Sequence, residues 1–233
     1  MGYIVTDTNT RIYVQTGMQT KPEDALKNAQ ALSQIVKEAV GVIVNGTQGL
    51  PKDVEEYLPK APSVKDALNE YTYQTLNKNS PSLVVLHSAG NEDAKKALQL
   101  GQQLGHQYSN LSFLSLASPN SDSVMRSTTT NTNANYLGQI NDWRDPVTNP
   151  KLWVAGTGAL AIGGLVGGVV LAPATGGGSL YAYGSALIGG GIGGGIGGGA
   201  IVTGINTIHP LDNYLAKPQT QSIMFDWKAK QKK

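Results

Sequence analysis

Between Lys151 and Asp212 the chain runs 60 residues without one Asp, Glu, Lys or Arg, and 20 of its 29 glycines fall inside that gap. No other feature restricts the fold so sharply. Every charge sits in the flanking segments, which read as an ordinary soluble domain. Composition therefore breaks near residue 151 and again near 207, dividing the chain into 1–150, 151–207 and 208–233.

Two lengths inside the gap matter. Residues 152–172 are 21 in number, uncharged, and stopped by Pro173. About 20 apolar residues span a bilayer core. After the uncharged turn PATGGGS, residues 180–205 offer a second segment of adequate length, so a membrane-active hairpin is expected between Lys151 and Asp212. Small residues recur every fourth position, at Ala155, Ala159, Gly163 and Gly167 in one arm and at Gly189, Gly193 and Gly197 in the other. Ile188, Ile192 and Ile196 keep the same register beside them. Rows like these let helices approach closely in lipid. In water each glycine costs a helix about 1 kcal/mol relative to alanine, so the second arm is expected to gain its order from lipid or a partner. A flexible linker is the bland alternative, but the Ile, Val and Leu content of 160–171 argues against it. An apolar hairpin or lid buried against the remaining domain is the stronger competitor.

Charge elsewhere is balanced, with 18 Lys and Arg against 16 Asp and Glu, so no polyanion surface and no nucleic-acid partner are expected. Cysteine is absent, which excludes disulfides, a thiol nucleophile and thiolate metal sites. No paired-carboxylate or His cluster carries metal-ligand spacing, and no Gly-Lys-Ser/Thr follows the glycine runs. Neither a metal nor a cofactor is expected. The start, MGYIVTDTNTR, has no basic n-region or apolar h-region, so secretion would need a route without a signal peptide.

The first 150 residues alternate strand-like and helix-like patterns. RIYVQTGM reads as a strand ending in a glycine turn. Thr20 and Glu23 then form a capping box before Ala25, Leu26, Ala29, Leu32, Val36 and Val40 at helical spacing. GVIVNGTQG is a buried strand stopped by Asn45-Gly46, residues 51–58 a short helix, and 63–76 a longer one capped by Ser63. SLVVLH is an unbroken apolar strand, Asn91 or Glu92 opens a helix through Leu100, and LSFLSLASP and NYLGQIND are further strands. This alternation, with apolar strands buried on two faces, predicts an α/β fold: a mostly parallel sheet with helices on both faces.

Reactive groups in such a sheet gather where strands end and helices begin. Ser88 sits directly after SLVVLH and before a helix, in His87-Ser88-Ala89-Gly90. A tight strand-to-helix turn would expose its hydroxyl beside a helix N-terminus. The Ala89 N–H would supply half of an oxyanion hole, and the loop after the first strand, at Gly17 and Met18, the other half. Asp145 in NDWRDPV is the candidate acid, with Asp142 its close competitor. Asp145 also reads as a simple cap on the turn at Pro146. His209, in NTIHPLDNY, is the last of the three histidines and the candidate base. His87 reads as structural and His106 as a solvated surface group. Ser88 would attack, His209 would carry the proton, and Asp145 would hold the imidazole in its productive tautomer.

HSAG after a strand, DPV after a later one, the late IHPLDNY and the order Ser, Asp, His resemble the α/β-hydrolase superfamily. More narrowly they look like the hydrolase-like domains of bacterial secreted effectors and polymorphic toxins. The resemblance covers 11–150 and about 205–217 through short motifs. It implies lipase or esterase activity on a membrane lipid. The full elbow motif has glycine two residues before the serine, where this chain has Leu86. The expected function is therefore an antibacterial effector or toxin with phospholipase-like ester hydrolysis, secreted and acting at a target-cell membrane. The alternative is a pore-forming toxin on an inactive hydrolase scaffold, and a third option is a purely structural anchor. Exposed arms of this kind also lead to an expected partner over 152–207: a chaperone, an immunity protein or a delivery shell.

Overall fold

The computed structural model describes residues 4–5, 10–17, 22–44, 62–78, 80–145, 147–148 and 210–231. The expected hairpin at 152–205, the short helix at 51–58 and the Thr20 cap lie outside these residues.

Six strands form one sheet: β1 (Ile4–Val5), β2 (Ile12–Gln15), β3 (Val40–Ile43), β4 (Ser82–His87), β5 (Leu111–Leu116) and β6 (Asn135–Ile140). Their order across the sheet is β1-β3-β2-β4-β5-β6. β1 pairs antiparallel with β3, and the other five strands run parallel. The expected α/β class is therefore correct. The chain moves from β2 outward to β3, then returns to the other flank of β2 to lay down β4. The gap between the β2 and β4 C-termini is thus the point where the winding reverses, where open parallel sheets leave a crevice.

The helices are α1 (Pro22–Val36), α2 (Val64–Asn77), α3 (Gly90–Gln103), α4 (Asp122–Asn131), α5 (Leu211–Leu215) and α6 (Pro218–Lys230). On one face Ile12, Val14, Leu83, Val85, Leu114 and Leu116 pack under Ala25, Ala29 and Leu32 of α1, Tyr214 of α5, and Met224 and Trp227 of α6. On the other, Tyr13, Val84, Leu86, Leu111 and Phe113 pack under Tyr73 of α2, Ala94, Ala97 and Leu98 of α3, and Met125 of α4. Fully burying each large apolar side chain contributes about 1.5–3 kcal/mol, and the continuous apolar strands supply both layers at once.

The Ser63 cap is present with its reciprocal partner: Ser63 accepts from the Asp66 N–H, and Asp66 accepts from the Ser63 N–H at 2.8 Å. Val40, expected to close the first helix, instead opens β3. Lys37 adopts a left-handed backbone, φ 56°, which stops α1 and turns the chain in the short space before the strand. Sequence patterning also passes over α4. Its Thr128 and Thr129 hydroxyls bond back to the Val124 and Met125 carbonyls, a competition that lowers helix propensity and hides the element. The basic C-terminal tail is in part core, because α6 buries Thr220, Met224 and Trp227, and the Trp227 Nε1–H donates to Ser112 Oγ at 3.0 Å.

Candidate functional site

Ser88 occupies the turn between β4 and α3 with φ 55°, a left-handed conformation that costs a non-glycine residue about 1–2 kcal/mol. Several bonds hold it there. Its N–H donates to the Leu116 carbonyl on β5 at 3.1 Å. Its own carbonyl accepts from the Asn91 N–H at 3.1 Å and from the Asn91 side-chain amide at 2.9 Å. That amide also reaches the Leu116 carbonyl at 3.2 Å, so one buried Asn ties the turn to β5. His87 and Ala89 on either side are buried, while Ser88 itself is half-exposed.

The turn is pressed against the end of β2. A Cβ placed on Gly17 would fall 2.6 Å from the Ala89 nitrogen and 2.8 Å from its Cβ. One placed on Gly90 would fall 2.5 Å from the Gln15 carbonyl oxygen. Only glycine fits at either position, so backbone meets backbone across the crevice between β2 and β4. Ser88, Ala89 and Gly17 are therefore brought together at one place. Leu86, in the position where the elbow motif has glycine, is fully buried in the core beside Phe113 and Val84, so its bulk is absorbed below the turn.

The first turn of α3 also carries Glu92 and Asp93, both buried. Each has a cation: Lys95 Nζ lies 2.7 Å from Glu92, and Lys65 Nζ of α2 lies 3.1 Å from Asp93. With those charges neutralised, the positive end of α3 beside Ser88 is not cancelled by its own acidic turn.

The two candidate acids follow β6 and differ sharply. Asp145 is fully buried; its Oδ1 accepts from the Val147 N–H at 2.8 Å and its Oδ2 from the Tyr214 hydroxyl at 2.6 Å. Both the turn-capping role and a tertiary role are thus present. Asp142 is engaged by cations, with Arg144 Nε at 3.0 Å, Arg144 Nη2 at 2.9 Å and Lys217 Nζ at 3.0 Å. The Arg144 bonds, followed by Lys217 and against the opposing effect of burial, hold the Asp142 carboxyl well below the usual carboxylate range. Burial first, and then the bond to Asp145, push the Tyr214 phenol well above its ordinary value, so it stays a donor.

His209 and Met18 lie outside the described residues, as do Gly163, Gly167, Gly189, Gly193, Gly197, Ile192 and Ile196. The chain is described again from Pro210, which precedes α5, and Tyr214 of that helix contacts both Asp145 and the His87 ring, 6.1 Å away edge-on. His87 is thus a core contact, as read. His106 is not simply solvated: its Nδ1 lies 2.8 Å from Glu70 Oε1 and 2.8 Å from Gln74 Nε2, at the opposite end of the sheet. Tyr214 and Lys217 escape the sequence reading, and Asn91 enters it only as a helix start, because their partners are distant in sequence or are backbone atoms.

Among the described residues no group of His, Asp and Glu is arranged to hold a metal ion, and no helix is long and apolar enough to cross a membrane. Compared with known protein families, curated proteins and solved structures, the chain matches none.

Proposed function

We propose that this chain is a serine ester hydrolase of α/β-hydrolase type that acts on membrane phospholipid as a bacterial antibacterial effector. One observation carries the reading: Ser88 is held with a left-handed backbone between β4 and α3, in a turn whose next residue, Ala89, is pressed against Gly17 just after β2. A stored strain of this kind, at the crevice where the sheet's winding reverses, is what an exposed nucleophile requires.

In this mechanism the Ser88 Oγ attacks the ester carbonyl carbon and its proton passes to His209. The oxyanion takes hydrogen bonds from the Ala89 N–H and from the loop at Gly17 and Met18. As the carbonyl re-forms, the alcohol departs with the proton from His209. Water then adds to the acyl-enzyme, giving its proton to His209, and the free acid leaves as Ser88 regains a proton. Asp145 orients the imidazole throughout. No cofactor takes part. The charge-free run from 152 to 211 supports a lipid substrate, because it can enter a bilayer without burying charge. Before delivery to the target membrane by a route without a signal peptide, a chaperone, immunity protein or delivery shell covers 152–207.

The test is a paired assay on phospholipid liposomes with the full chain and Ser88→Ala. Fatty-acid release should fall by at least about 10³-fold in the variant, and toxicity on expression should vanish with it. A fully toxic Ser88→Ala chain would sink the hydrolase reading. Dye leakage persisting in that variant, without lipid hydrolysis, would instead establish the second reading that the same charge-free run favours: a membrane lesion made by the glycine-spaced arms on an inactive scaffold.

A further inference from the structure

We propose that Tyr214 is a positioning residue for Asp145, coupling the loop that carries the acid to the strand that carries Ser88; the role rests on the hydrolase reading above. Ser88 follows β4 and Asp145 follows β6, with β5 between them, so no direct strand pairing sets their relation. Tyr214 spans that gap. Its hydroxyl donates to Asp145 Oδ2 at 2.6 Å across 69 residues of chain. The edge of its ring system meets His87, the residue immediately before Ser88, at 6.1 Å and 61°.

The tyrosine is itself immobilised. It is fully buried, and Lys217 Nζ lies over its ring at 4.9 Å. A phenylalanine would fill the same space and keep the same ring contacts, so the hydroxyl is the atom that calls for a role. With the Val147 N–H on Oδ1 and the phenol on Oδ2, both carboxylate oxygens are held and the plane of the group is fixed. The same short stretch of chain also sorts the two acids. Tyr214 takes Asp145, while Lys217, three residues on, takes Asp142 together with Arg144. Asp142 is thereby committed to cations, while a phenol and a backbone N–H hold Asp145.

The experiment uses the full chain and an alkyl phosphonofluoridate, whose phosphorus is attacked by Ser88 Oγ as fluoride leaves, so no natural substrate need be known. Labelling rates are read by intact mass for wild type, Ser88→Ala, Tyr214→Phe, Asp145→Asn and the double variant, each with its thermal unfolding midpoint. Ser88→Ala should not label. Tyr214→Phe should label about 10²-fold more slowly than wild type, the cost of a slightly misplaced catalytic group. Asp145→Asn should lose about 10⁴-fold, and the double variant should be no slower than Asp145→Asn alone, because Tyr214 acts only through that carboxylate. Incorporation of 4-aminophenylalanine at position 214 keeps the ring and a donor and should restore the wild-type rate, which a lost fold could not explain. Labelling of Tyr214→Phe at the wild-type rate, additive losses in the double variant, or failure of that rescue would each overturn the role. Wild type labelling no faster than Ser88→Ala would overturn the hydrolase reading itself.

Discussion

The two ends of the sheet are built on opposite principles. At the end where the parallel strands begin, polar groups gather on one carboxylate, although the Nδ2 of neighbouring Asn69 is buried without a hydrogen-bond partner among the described residues. Glu70 Oε1 takes the Tyr108 hydroxyl at 2.6 Å and the Gln74 amide at 2.7 Å, with His106 Nδ1 at 2.8 Å. Burial pushes the Glu70 carboxyl up, but the bonds from Tyr108, Gln74 and His106 outweigh it and leave it lowered. Asn77 and Asn110 clasp each other nearby, through two bonds of 2.9 Å. The left-handed residues at this end, Lys37 and Asn133, follow helices, where that conformation is an ordinary way to stop.

At the end where the strands finish, the left-handed residues are Ser88 and Ala117, which follow the neighbouring strands β4 and β5. No helix termination requires them. Gln15 Nε2, Asn91 Oδ1 and Asn120 Nδ2 are buried there without a hydrogen-bond partner among the described residues. Left-handed residues that end no helix thus occur where the candidate nucleophile lies, together with three of the six buried polar side-chain atoms that lack a partner among the described residues. Functional sites draw on such a reserve, and the difference between the ends is the strongest general argument for locating the site at Ser88.

Three substitutions would break or sharpen that contrast. Gly17→Val should have the largest effect, because its branched side chain would have to displace the Ala89 backbone. Phosphonofluoridate labelling of Ser88 should fall by about 10²- to 10³-fold as the oxyanion donors separate, with a drop in the unfolding midpoint. Normal labelling in this variant would show that the close approach at the β2–β4 crevice is only packing. Tyr108→Phe tests the other end. It removes a donor from buried Glu70 and should cost about 2 kcal/mol in urea unfolding, with labelling of Ser88 unchanged. A loss of labelling there would mean that the two ends are not separable.

Asp142→Asn should have the smallest effect, about 1 kcal/mol near neutral pH, and a characteristic pH dependence. The Asp142 carboxyl lies below its unfolded value of about 3.9, so its contribution is fully present above that pH and is lost as pH falls through the depressed value. The variant should therefore differ from wild type near neutrality and converge with it in acid. A constant difference down to low pH would remove the Arg144 and Lys217 pairing as the reason for the shift.

The fold was legible in proportion to how local its signals are. SLVVLH and LSFLSL announce themselves as buried strands because both of their faces are covered, and Ser63 with Asp66 marks a helix start within four positions. The placement of Ser88 was legible because its signal, a serine between an apolar strand and a helix, is complete within a few residues. Val40 was misplaced because its apolar character suits a helix or a strand equally, and the turn at Lys37 needed a backbone conformation that lysine does not advertise. Tyr214 was invisible as a site residue, since its meaning lies in a carboxylate 69 positions away.

By itself, then, the sequence determined the α/β class, the charge-free segment and the serine at a strand end, each set by periodicity or composition within a short window. Only the tertiary structure decided that β2 and β4 are neighbours, that Gly17 approaches Ala89, and that Tyr214 takes Asp145 while Arg144 and Lys217 take Asp142. The reason is physical. Side-chain periodicity follows from local backbone geometry, whereas strand order and long-range hydrogen bonds depend on which surfaces the whole chain can bury together.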